Sequence, residues 1–285
     1  MAHSSERPIL ILGAGGQLGR AFCALLGEDA VPLPHQALDI SDRAALAALL
    51  DEWSPRSVVN CAAATDVDRC EGDHDYADAA NLRGPGHLAE LAAERGIRLV
   101  HVSTDHVFSG LSERPYAECD PPCPVNYYGL SKLRGEEAVL SALPNALVVR
   151  TSWVFGEGGA NFPEMVLRWA AARDSLRSVA DNWGCPTYAV DLASEIWALV
   201  EGGAAGIFHL AGSGCASRLE VAEEVVRLAG IPCVVQPALA SEFPLPAPRP
   251  ARTCLDCSKA ASIGVYLPPW RDGLARFIET RTWLE

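Results

Sequence analysis

The chain has no apolar run approaching the ~20 residues that span a bilayer, so nothing in it reads as a transmembrane helix. It has no long basic run either, and a formal charge of -13 argues against nucleic acid as a partner. Cysteine is plentiful, at ten residues, but the pattern of a metal site is missing. Cys254-x-x-Cys257 is a lone pair, three residues separate Cys119 from Cys123, and no second Cys-x-x-Cys or Cys/His cluster completes a tetrahedral set. Idle thiols in a reducing compartment and no bound metal are the expectation. A secretory leader is lacking as well. The first apolar run, Pro8-Ile-Leu-Ile-Leu-Gly13, has the length of a strand and no small-residue cleavage site after it, so the cytoplasm is the expected compartment. A protein this acidic that binds phosphates must do so with local donors such as backbone amides, helix N-termini and a few arginines.

What is present is a chain of 285 residues, 49% hydrophobic, long enough for one large α/β unit with a smaller lobe. Short apolar runs alternate with helical stretches: strands at Ile9–Gly13, Ala30–Leu33, Ser57–Ala62, Arg98–Ser103 and Ala146–Thr151, and helices at Gln17–Leu26, Asp42–Trp53, Asp75–Arg95 and Tyr128–Leu143. Such alternation predicts a Rossmann-type, doubly wound parallel sheet with helices on both faces. Beyond Phe155 the pattern loosens into helical stretches at Phe162–Arg173, Tyr188–Val200 and Leu219–Ala229, an irregular Pro237–Pro250 and an amphipathic Trp270–Trp283. Residues 1–155 are expected to form an NAD(P)-binding domain and residues 156–285 mainly a substrate-binding lobe, with about 179–204 returning to the first domain.

Three pieces carry chemistry. The loop Gly13-Ala-Gly-Gly16-Gln17-Leu18-Gly19 follows a strand and opens a helix, the setting in which a glycine pattern cradles a dinucleotide pyrophosphate. Small residues Ala62, Ala63 and Ala64 end the third strand, where a ribose and nicotinamide could lie against backbone. The second strand runs into Leu33-Pro-His-Gln36 with no acid to hold a ribose 2′-hydroxyl and no arginine to clamp a 2′-phosphate. Asp39 and Ile40 follow near the expected adenine, Asp39 being equally a turn or cap residue. Ser103-Thr104 ends the fourth strand at the same edge, where a hydroxyl can donate to a substrate oxygen. Tyr128 and Lys132 lie four apart on one helix face, where the ammonium is expected to lower the phenol pKa and to reach the nicotinamide ribose. Tyr127 points about 100° away and is the lesser candidate. Asn81 is either a support for the Ala62–Ala64 loop or an exposed helix residue.

In this order the motifs resemble those of the extended short-chain dehydrogenase/reductases, and among them the dTDP-4-dehydrorhamnose reductases. The stretches that carry the resemblance are Gly13–Gly19, Val59-Asn-Cys-Ala-Ala-Ala-Thr65-Asp-Val67-Asp68, Val102-Ser-Thr-Asp-His-Val-Phe-Ser-Gly110, Asn126–Lys132, Val149–Gly156, Asn161-Phe162, Asp181–Thr187 and Arg249-Pro250. It implies Thr104, Tyr128 and Lys132 as the catalytic set and a nucleotide-sugar substrate; the acid-free end of the second strand makes NADPH the expected cofactor, with NADH also accepted. The resemblance implies sugar contacts from Thr65, Val67, Ser103, Asp105 and Trp153, and Arg249 near the nucleotide. A homodimer is the assembly to consider. His106 stands where the family commonly has tyrosine, and Cys254 and Cys257 fall where polar residues are usual; neither departure is expected to touch the hydride chemistry. A sugar-nucleotide 4,6-dehydratase is disfavoured, because Thr104-Asp105-His106 lacks its Asp-Glu pair. A related deoxysugar ketoreductase, a 4-epimerase and a non-catalytic regulatory subunit stay open.

Overall fold

A computed structural model describes residues 7–281. Five strands follow the expected order: β1 (Ile9–Leu12), β2 (Ala30–Leu33), β3 (Ser57–Asn60), β4 (Arg98–Thr104) and β5 (Leu147–Thr151). With a strand at Gly206–His209 they form one six-stranded sheet in the spatial order Gly206–His209, β5, β4, β3, β1, β2. Each neighbouring pair is parallel. The β1 and β3 runs are buried along their whole length, as strands covered on both faces must be. One apolar layer packs helix α1 (Gln17–Leu26) and the Ala189–Glu201 helix on the sheet through Leu18, Phe22, Leu192 and Ile196. The other packs α2 (Arg43–Trp53) and the Gly84–Arg95 helix through Leu46, Leu50, Leu88 and Ala92. The doubly wound parallel sheet expected from the alternation is therefore present.

The direction of winding reverses between β1 and β3, which is where ligands bind in such sheets. There Gly13, at φ +73°, brings its backbone so close to the next loop that a Cβ would sit 2.7 Å from the Ala62 nitrogen. Only glycine fits that crossing.

A second apolar cluster builds the remaining lobe from the Phe162–Ala171, Arg218–Ala229 and Trp270–Glu279 helices, around Val166, Val225, Trp270 and Phe277. A parallel pair of strands, Ser175–Val179 and Val234–Ala238, lies with it. The second of these enters the Pro237–Pro250 stretch expected to be irregular; Pro237 is tolerated because it lies in a two-stranded edge. The helix expected at the C-terminus runs from Trp270 to Glu279, and Trp283 lies outside the described residues.

The long helix expected over Asp75–Arg95 is broken. The chain forms helices at Val67–Gly72 and His74–Asp78, a π turn at Ala79–Arg83, and then the Gly84–Arg95 helix. Pro85 cannot donate back to the preceding turn, and Asn81 is drawn into tertiary bonds that set the wider turn. Its buried amide donates to the Ala64 carbonyl (3.0 Å) and to Ser131 Oγ (3.0 Å), and its oxygen accepts from the Ala64 N–H (2.9 Å). Of the two readings of Asn81, support of the loop is the one the structure shows. Against this turn packs the Tyr127–Ala142 helix, where Gly135 lies so close that a Cβ would run into the Asn81 carbonyl. Gly135→Ala is expected to lower stability by roughly 1–3 kcal/mol through overpacking, read as a lower urea midpoint with an unchanged m-value; an unaltered midpoint would show that the helix can shift away freely.

Candidate active site

A cleft of about 740 Å³ opens along the carboxyl ends of the strands at the winding reversal. The glycine loop forms its floor through Gly13, Gly16, Gln17, Leu18 and Gly19, and Asp39, Ile40, Ala62, Ala63 and Ala64 continue the wall. At Gly19 a Cβ would collide with the Gly13 carbonyl, so the helix can start this close to the strand only with glycine there. Among the described residues the buried Gln17 side-chain oxygen has no hydrogen-bond partner. The loop, the open backbone at Gly16 and the volume fit a nicotinamide dinucleotide. Asp39 lines the same cleft, but its carboxylate accepts from the Ser41 N–H (2.9 Å) and hydroxyl (2.8 Å), and these bonds lower its pKa. Asp39 thus closes a turn while lining the cleft margin.

The opposite wall carries Ser103, Thr104, Asp105, Tyr128, Lys132 and Trp153, with Thr65 at its edge. Asn126 caps the Tyr127–Ala142 helix through Gly129 N–H (2.8 Å), which aims its first turn at β4. The Tyr128 phenol hydrogen-bonds the Thr104 side chain. Burial pushes the phenol pKa above its ordinary range, and the contact with the Thr104 side chain only partly opposes this. The expected lowering by Lys132 is not found, because the ammonium points into the protein and donates to the Val102 carbonyl at 2.7 Å. Burial draws the Lys132 pKa down to about 8, against the pull of Glu136 and Cys61. Tyr127 turns away: its hydroxyl donates to Asp78 (3.0 Å) and its ring stacks on His74.

Under this wall lies Glu136, which no motif marked, held by residues from the marked stretches. Glu136 is buried on the helix that bears Lys132, and takes three hydrogen bonds of 2.7–3.1 Å from the buried Arg150 on β5. It also accepts from the Ser103 hydroxyl. Asp105, equally buried, accepts from the hydroxyls of Thr104 (3.1 Å), Ser152 (2.8 Å) and Thr253. Its carboxylate is thus fixed by its neighbour Thr104 and by two segments distant in the chain. His106 accepts at Nδ1 from Asn126 (3.2 Å) and packs edge-on to the Tyr128 ring, with centroids 5.3 Å apart. The expectation that His106 stays clear of the reactive groups is therefore corrected.

Trp153 adopts φ +44°, a left-handed conformation rare for a bulky residue. Its indole packs on the backbone of Gly184, where a Cβ would strike the ring, and under the Arg218 guanidinium, 3.5 Å from the ring centroid. The ring is half-buried against the apolar core of the second lobe and is covered rather than bare. Val67 and Arg249 do not line the cleft. Val67 opens the Val67–Gly72 helix, and Arg249 pairs with Asp68 (3.0 Å) and donates to the Ala247 carbonyl (2.7 Å). Arg218 escaped the sequence reading because it sits in an ordinary amphipathic helix. Cys215 and Cys254 form a disulfide with Cα atoms 5.7 Å apart, which corrects the expectation of ten idle thiols. Their separation of 39 residues gave no local signal; the pairing comes from the packing of the two segments beside each other.

The sequence model of the family described as RmlD substrate binding domain matches residues 7–282. The dTDP-4-dehydrorhamnose reductase of Mycobacterium tuberculosis is 42% identical over 286 residues, covering 96% of this chain and 93% of its own. The dTDP-4-keto-6-deoxy-D-glucose reductase of Streptomyces niveus is 43% identical over 225 residues, with 78% of each chain covered. Among solved structures, the dTDP-4-dehydrorhamnose reductase of Bacillus anthracis, determined in complex with NADP, has a TM-score of 0.93 at 33% identity, covering 96% of this chain and 99% of that one. A likeness of fold alone extends to the UDP-glucose 4-epimerase of Thermus thermophilus, at TM-score 0.82 and 21% identity, covering 95% of this chain and 98% of that one. On a match that runs through both lobes, the chain belongs to the RmlD substrate binding domain family, that of the dTDP-4-dehydrorhamnose reductases.

Proposed function

We propose that the protein uses NADPH to reduce the C4 carbonyl of a dTDP-linked 4-keto-6-deoxysugar, with dTDP-4-dehydro-L-rhamnose, giving dTDP-L-rhamnose, as the foremost substrate. The observation that carries this reading is the convergence of the Thr104 hydroxyl, the Tyr128 phenol and the Lys132 ammonium on one wall of a cleft whose floor is the glycine loop. NADPH, when bound, supplies the hydride. Tyr128 is the proton donor to the C4 oxygen. Its burial keeps the phenol protonated at neutral pH, the form that reduction needs. On substrate binding Thr104 turns its one hydroxyl proton from Asp105 to the same oxygen, while its own oxygen stays beside the phenol. Lys132 is the ribose ligand once a ribose competes with the Val102 carbonyl, and its charge then offsets the phenolate left after transfer. Ser103 and Asp105 position Glu136 and Thr104 respectively, and Asp105, Thr65 and Trp153 bound the sugar. On this reading the cytoplasm is the compartment of the reaction. Sedimentation of the purified chain distinguishes monomer from homodimer.

The direct test is loss of NADPH absorbance on adding candidate dTDP-4-keto-hexoses, followed by NMR of the product; no turnover with any of them sinks the reading. Tyr128→Phe should lower kcat by ~10²–10⁴-fold while leaving NADPH affinity nearly intact, and retention of more than about half the wild-type rate would remove Tyr128 as the acid. Because the Lys132 ammonium is present below about pH 8 and lost above it, kcat/KM for NADPH should fall as pH rises through that value. Lys132→Met should abolish this limb of the profile, and a limb that survives the substitution belongs to another group. NADPH should serve at least as well as NADH, since no acid ends β2 and Asp39 is held by Ser41. A preference for NADH beyond roughly tenfold, about 1.4 kcal/mol, would mean that a carboxylate reaches the ribose after all.

A further inference from the structure

Arg218 begins the Arg218–Ala229 helix and lays its guanidinium 3.5 Å from the centroid of Trp153 and 4.8 Å from that of Phe162. Among the described residues this guanidinium makes no hydrogen bond and no ion pair. By contrast Arg150, Arg177, Arg249 and Arg276 each close on a carboxylate. The charged groups that face it are Asp105 and Arg249. Asp105 is already occupied by three hydroxyls, and Arg249 by Asp68. Burial without a carboxylate partner draws the Arg218 pKa down to about 10. A guanidinium over an aromatic ring uses its π face and keeps its in-plane N–H donors for something else.

The location says what that is. Trp153 is a wall of the main cleft and also of an adjoining cavity of about 310 Å³, which Phe162, Met165, Pro186 and Arg218 complete. A ligand whose reacting carbon rests at Thr104 and Tyr128, and which continues past Trp153, meets Arg218. In a 4-keto hexose the diphosphate is attached at C1, across the ring from C4. We propose that Arg218 binds the diphosphate of the nucleotide-sugar substrate, with Trp153 and Phe162 as the platform that holds its guanidinium flat and leaves its donors free. In this arrangement Trp153 serves the sugar through the arginine, which covers its ring, and Gly184 is needed to let the indole lie beneath. The assignment rests on the nucleotide-sugar reading above.

The test is calorimetry of the full chain with thymidine diphosphate, thymidine and NADPH, for the wild type, Arg218→Met and Arg218→Lys. Losing a charged donor should weaken thymidine diphosphate about 10- to 100-fold in Arg218→Met, and less in Arg218→Lys, with thymidine and NADPH affinities retained. In turnover the loss should fall on KM for the sugar nucleotide rather than on kcat. Equal weakening of thymidine and its diphosphate would assign Arg218 a merely structural role, and unchanged affinity for the diphosphate would overturn the proposal. If Arg218→Met does not give a cooperative thermal transition, the ratio of diphosphate to thymidine affinity in Arg218→Lys decides instead. A wild type that binds thymidine diphosphate but reduces no dTDP-4-keto sugar would sink the reductase reading and leave the Arg218 comparison to stand on binding alone.

Discussion

The bidentate ion pair of Glu136 and Arg150, sealed between the Tyr127–Ala142 helix and β5, is the contact on which the geometry of the site depends. It ties the helix that carries Tyr128 and Lys132 to the strand beside β4, and Ser103 joins it from β4 itself. A pair so deeply buried gives little net stability over an apolar replacement, whereas removing one partner leaves a stranded charge that costs about 3–5 kcal/mol. Its value lies in direction. An apolar contact would let the helix slide along the sheet; a forked bond admits one register. From that register follow the depth of Lys132 and the close approach of Gly135 to the π turn. The position of Asn81 beneath the Ala62–Ala64 loop follows too.

Much of the fold could be read in the sequence because its signals are local. Alternating apolar runs and helical stretches named the five strands β1–β5 and, apart from the broken Asp75–Arg95 stretch, the helices between them, and the glycine spacing marked the loop at the winding reversal. What could not be read depended on partners far along the chain. The π turn forms because Asn81 answers to Ala64 and Ser131, which no helical periodicity encodes. The strand at Val234–Ala238 needs Ser175–Val179 beside it, and its proline argued the other way.

The site was legible to the same extent. Thr104, Tyr128 and Lys132 stand in motifs, and the structure brings them to one wall. The sequence suggested an ammonium close enough to acidify the phenol, yet the carbonyl of Val102 claims that ammonium and burial governs the phenol. Arg249, singled out by its Arg-Pro pair, is neutralised by Asp68, while the unmarked Arg218 keeps its charge uncompensated. A net charge of -13 hides this arrangement entirely, since a sum over the chain says nothing of a single cation set apart from nearby acids.

The order of strands has a consequence for synthesis on the ribosome. β5 pairs with β4 on one side and with Gly206–His209 on the other. Until residue 209 has left the exit tunnel, a nascent chain that has already folded β1–β5 presents the entire outer edge of β5, apolar through Leu147-Val-Val149, to whatever lies nearby. The Asp105 carboxylate likewise waits for Thr253, made 148 residues later, before its last hydroxyl arrives. Elongation between those points is therefore the interval in which this chain most needs a chaperone at its sheet edge, and in which the reactive wall exists without its finished support.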